Sequence, residues 1–173
     1  MKKLTVRDIA VFAMLGALMF AGKKIMEFLP NVHPLAVLTM VYTIAYRRRG
    51  IFPIIVYLLL ETAFGGFLWT VPYYYIFPLC HAATLLVPAD ASKWKRQICY
   101  TAICTFFGIA FGCLYAPWQA IMWGLSFEKT LAWIAAGAYF DIIHGIGNFA
   151  LSFAIIPLAG ALVQISNCAS KKR

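Results

Sequence analysis

The stretch Phe140–Asn148, FDIIHGIGN, sets an acid, an imidazole and a carboxamide into sequence that is otherwise fit for lipid. At 100° per residue, Asp141, His144 and Asn148 (i, i+3, i+7) share one face of a helix. The rest of the chain repeats this background outward from the stretch. Apolar residues make up 63% of the 173, and only 12% are charged, against about 25% in a soluble domain. This composition predicts an all-α integral membrane protein, a single domain over 1–173 with no room for a separate soluble one. The opening MKKLTVRD runs into apolar sequence without a small-residue cleavage site, so no signal peptide is expected.

Polar punctuation divides the chain into six expected spans: 8–29, 33–46, 51–68, 72–89, 97–116 and 138–165. The second is short, and Pro157 is expected to kink or end the last. The path of 117–137 is open. With Ser126, Glu128 and Lys129 at its centre it reads as an outer loop with a Trp-rich interfacial helix. It could instead dip inward or lengthen both flanking spans.

The formal net charge is +9, and its positions are informative. Lys2, Lys3 and Arg7, then Arg47–Arg49, then Lys93, Lys95 and Arg96, then Lys171–Arg173 all fall on one side of a six-span layout, while Lys129 falls opposite. By the positive-inside rule, both termini are expected to be cytoplasmic in a multi-pass plasma-membrane protein. The same sorting argues against a nucleic-acid surface.

Ionisable groups inside a bilayer cost about 2.5–3.5 kcal/mol each and are functional candidates by default. From the helical rise, Glu61 lies about 15 Å into its span, and His81 and Asn148 come out at similar depth, near the midplane. Asp141 and His144 sit higher, toward the outside. A cavity open outward, with Glu61, His81 and Asn148 at its floor, is the expectation. Trp69, Tyr73 and Tyr74 are candidates for its wall, or for an interfacial belt. Glu61 needs a partner from another span, for which His81 would serve, or a ligand. Lys23 and Lys24 either pair with Glu27 at helical spacing or turn inward.

The histidines His33, His81 and His144 fall on three elements without HxxxH or HExxH, and the five cysteines show no CxxC, so no metal site and no cofactor are expected. Without a GxSxG pattern, an intramembrane enzyme using Glu61, His81 and His144 is the weaker alternative. A non-binding assembly subunit is the other.

Ala13, Ala17 and Ala21 repeat every four residues in the first span, and Gly108-xxx-Gly112 forms a second small-residue stripe. Such stripes let helices approach closely, within one bundle or toward a partner. With six spans, both ends inside, this AxxxA stripe and the acid- and Asn-bearing last helix, the whole chain resembles the substrate-specific S component of energy-coupling-factor (ECF) transporters. That resemblance implies a subunit that captures a vitamin-like nutrient from outside, and passes it inward with a membrane T component and two ABC ATPases. It implies T-component docking at Ala13, Ala17 and Ala21, and a gating loop at Asn31 and His33. Pocket roles then fall on Glu61, Trp69, Tyr73, Tyr74, His81, Asp141, His144 and Asn148. The aromatic faces and carboxylates suit a ring-bearing, nitrogen-containing ligand.

Overall fold

The computed structural model describes residues 3–29 and 32–171. Among them every regular element is helical. In chain order these are α1 (Val6–Ile25), α2 (Leu35–Tyr46), a 3-10 turn (Arg47–Gly50), α3 (Ile51–Gly65) and α4 (Phe67–Thr70). Then follow α5 (Tyr73–Leu85), α6 (Lys93–Ile109), α7 (Phe111–Trp123), α8 (Phe127–Ser152) and α9 (Ile155–Lys171). Two runs, Lys93–Trp123 and Phe127–Ser152, are long and apolar enough to cross a membrane. The other expected spans come out shorter or more charged. α2, α3 and α5 have 12, 15 and 13 residues, below the roughly 20 that cross a bilayer as one straight helix. α1 reaches 20 residues but carries Arg7, Asp8, Lys23 and Lys24.

Local chemistry sets the boundaries. The Thr5 hydroxyl accepts from the Asp8 backbone N–H and the Asp8 carboxylate accepts from that of Thr5, a reciprocal cap that starts α1. Gly66 (φ 90°) ends α3 in a backbone conformation that side chains resist. Segment 117–137 is not an outer loop. Gly124 closes α7 in the left-handed region, and Ser126 opens α8 by accepting from the Lys129 backbone N–H, so the segment lengthens both flanking helices. The expected 138–165 span breaks at Phe153–Ala154. Pro157 is the third residue of α9, and its ring excludes a helical carbonyl at Phe153, four residues back.

The most extensive contact joins α6 to α8, and the next joins α1 to α3. A Cβ on Gly108 would sit 2.8 Å from the Gly145 Cα, and one on Gly16 would sit 2.7 Å from the Pro53 carbonyl oxygen. Both glycines are therefore points of backbone approach. The Gly108-xxx-Gly112 stripe faces inward, against α8. On α1, by contrast, Gly16 is buried against α3 while Ala13, Ala17 and Ala21 are all exposed.

One end of the bundle is basic. There Arg49 pairs with Asp8 at 3.5 Å and the Arg7 guanidinium donates to the Ser166 carbonyl at 3.5 Å. The arginine turn lies beside Leu85 and Leu86 at the end of α5. The opposite end is aromatic. Tyr115 and Trp118 of α7 donate to the Trp69 and Leu68 carbonyls, each at 2.7 Å, and clamp α4 in place.

Candidate functional site

The polar face of α8 is first of all a helix-joining device. Asp141 accepts from the Gly112 backbone N–H at 3.0 Å, in the first turn of α7. A carboxylate there satisfies an orphan donor and opposes the positive end of the helix dipole. It therefore caps α7. One turn on, Gly145 meets Gly108. Asn148 then donates to the Cys104 carbonyl at 3.0 Å, and Ser152 bonds Thr101 at 2.9 Å. The partners step down α6 by about a turn for each turn gained on α8, the register of an antiparallel pair.

His144 is different. It lies on the same face, is buried, and neither ring nitrogen has a hydrogen-bond partner. Its ring meets that of His33 edge to face at 4.7 Å and that of Phe111 at 5.0 Å. The His33 Nδ1 is likewise sealed without a partner. The two imidazoles, with Asn148, line a small cavity completed by Phe77, Phe107 and Phe111. It offers about 10 Å³ to the centre of a water-sized sphere, room for about one water. Buried polar nitrogens without partners cost about 1–3 kcal/mol each; the Tyr57 hydroxyl and Glu61 Oε2 are also buried without a partner, but these imidazoles line a cavity.

Beside it lies a second polar group. The Lys23 ammonium turns inward from α1 and pairs with the Glu61 carboxylate of α3. Both side chains are largely enclosed, 15% and 5% exposed. Lys23 also stands 5.6 Å from the Tyr73 ring centre. Tyr73 touches Phe111, which touches His144. A continuous run of side chains therefore links the ion pair to the cavity.

No protein-family model, no curated protein and no solved structure matches this chain. What the site does must be read from its own chemistry.

Glu61, His81 and Asn148 do not form one floor. Glu61 is taken by Lys23 and not by His81. The His81 Nδ1 shares a 2.7 Å hydrogen bond with the Thr43 hydroxyl on α2. Of the three, Asn148 alone lines the cavity. Lys24, not Lys23, pairs with Glu27, at 2.9 Å. Tyr74 bonds Thr62 at 2.8 Å. Trp69 is half exposed and lends its carbonyl to Tyr115. Asp141 is held by α7. The expected gate residue Asn31 falls outside the described residues, while His33, expected beside it, is a cavity wall. Ala36, Ile76, Cys80 and the three phenylalanines of the lining were not singled out from the sequence. An apolar wall leaves no mark in an apolar chain. The one available signal was the pairing of Ile76 with Cys80 and of Phe107 with Phe111 at i, i+4. Among the described residues, no three His, Cys, Asp or Glu side chains gather with metal-ligand spacing.

Proposed function

We propose that this chain is the ligand-binding membrane subunit of an ECF-type importer, and that His33, His144 and Asn148 hold its ligand. The observation that carries this reading is that two buried imidazoles, with three unpartnered nitrogens between them, line one aromatic-walled cavity. A neutral imidazole offers one donor and one acceptor. Two of them, with a carboxamide, suit the edge of a nitrogen-bearing ring, and Phe77, Phe107 and Phe111 supply apolar faces to enclose it. In its present shape the cavity admits nothing larger than water, so a ligand of ring size enters only as its walls move apart.

The sorting of Arg and Lys puts the basic end in the cytoplasm and the Lys23–Glu61 end outside, with six crossings between. The exposed Ala13–Ala17–Ala21 stripe is then a smooth face for a T component, and ATP hydrolysis belongs to two partner ATPases. Trp69, Tyr74, His81 and Asp141 lie outside the cavity lining and serve the scaffold, whereas Asn148, though bonded to α6, lines the cavity.

Native mass spectrometry of the purified chain, co-expressed with and without candidate T components and ATPases, tests this. A small molecule retained by the wild type, lost in His144→Phe and kept in Ala17→Trp, supports the reading. Loss of coupled uptake in Ala17→Trp supports it further. A wild type that carries no small molecule and recruits no partner sinks it.

A further inference from the structure

α1 packs on α3 and α9 packs on α2, but α1 and α9 make little direct contact with each other. Between them runs a cleft of about 570 Å³, within the roughly 300–1,000 Å³ of small-molecule sites. It is graded along its length. Arg7 and Ser166 sit at its mouth, at the basic end of the bundle. Leu15 and Leu162 lie deeper, and Leu15 is about 12 Å further along α1 than Arg7 at the helical rise. Tyr46 lines it too, and also lines the neighbouring groove with Arg47, Arg48 and Arg49. The single acid of the mouth, Asp8, is committed to the Thr5 backbone N–H and to Arg49.

We infer that this cleft binds one anionic phospholipid, with its phosphate at Arg7 and the arginine turn and one acyl chain between Leu15 and Leu162. The inference rests on the chain lying in a membrane, and not on the nature of the His33–His144 ligand. A basic mouth over an apolar shaft matches a phosphate over a hydrocarbon chain. Basic residues at a cytoplasmic membrane surface attract anionic headgroups. An open apolar slot between two helices in a bilayer is filled by lipid unless protein fills it.

The test uses the full chain in neutral detergent with phosphatidylglycerol or phosphatidylcholine added, read by native mass spectrometry and melting temperature. One phosphatidylglycerol per chain is expected to survive where phosphatidylcholine is stripped. Leu162→Trp, which fills the shaft, is expected to abolish retention. Arg7→Gln keeps a donor for Ser166 and is expected to reduce the preference for phosphatidylglycerol about fivefold, so the inference stays testable if the tryptophan variant folds poorly. Inorganic phosphate is the control for a bare anion site. Equal retention of both lipids, retention unaltered by both substitutions, or a melting shift matched by inorganic phosphate would overturn the inference. So would a dimer appearing in place of the lipid-bearing chain, which would assign the cleft to a second copy.

Discussion

His33, in the connection between α1 and α2, meets His144 of α8 edge to face, with ring centres 4.7 Å apart. The contact spans more than a hundred residues of chain and leaves ring nitrogens of both partners unbonded. Holding polar atoms in that state costs stability, and the cost is a handle. His144→Phe keeps a ring against Phe111 and removes two orphaned nitrogens. Its ligand-free form is expected to be more stable than the wild type by about 1–3 kcal/mol, while ligand retention is lost. A lower melting temperature for ligand-free His144→Phe would show that the ring is already satisfied by something else.

Lys23 and Glu61 make a second case, with the opposite sign. Breaking a buried pair by removing one member leaves the other uncompensated, at about 3–5 kcal/mol. Lys23→Met is therefore expected to lose that much. Adding Glu61→Gln to it is expected to restore most of the loss. A thermal-melting double-mutant cycle reads both effects, and simple additivity would mean that the charges do not share an enclosed site.

Gly108 and Gly137 give a matched pair of substitutions. A Cβ on Gly108 would lie 2.8 Å from the Gly145 Cα, a backbone atom that cannot swing away, whereas one on Gly137 meets nothing within 4 Å. Gly108→Ala is expected to cost about 1–3 kcal/mol through overpacking. Gly137→Ala is expected to stabilise by up to about 1 kcal/mol through helix propensity. Equal effects at the two positions would refute the close approach of α6 and α8.

Asp141 is expected to matter for folding and not for ligand. Asp141→Ala removes the acceptor of the Gly112 N–H, a cap worth about 0.5–2 kcal/mol. Asp141→Asn keeps an acceptor and loses less. Ligand retention is expected to be unchanged in both, measured at a temperature where both remain folded. A selective loss of ligand in Asp141→Asn, with melting unchanged, would move this carboxylate into the site.

The helical class and the polar face of α8 were open to a reader of the sequence, because hydropathy and a 3.6-residue period report them directly. What that face does was not. Asp141, His144 and Asn148 look alike in spacing, yet two of them bond α7 and α6 and one is left over. Only the partner helix decides which. For 117–137 the structure takes the alternative of two lengthened helices over the outer loop, because the segment's centre is a tight turn. Gly124 followed by Ser126 and an acid in the next turn is the signature of one helix ending and another starting. Counting polarity hid that punctuation. Glu61 was rightly marked as needing a distant partner, but His81 was the nearer guess. The structure uses Lys23, a residue whose stem is long enough to reach across from α1.

The break at Phe153–Ala154 has one more consequence. α8 belongs to the half of the molecule built on α6 and α7, whereas α9, beyond the break, packs on α2. The cavity takes His33, Phe77 and Cys80 from the N-terminal half, and Phe107, Phe111, His144 and Asn148 from the other. It lies between these two groups of helices, and the turn at Phe153–Ala154 is where the chain crosses from one to the other. The width of the cavity is therefore set by how the two groups pack on each other and not by the hydrogen bonds within any one helix.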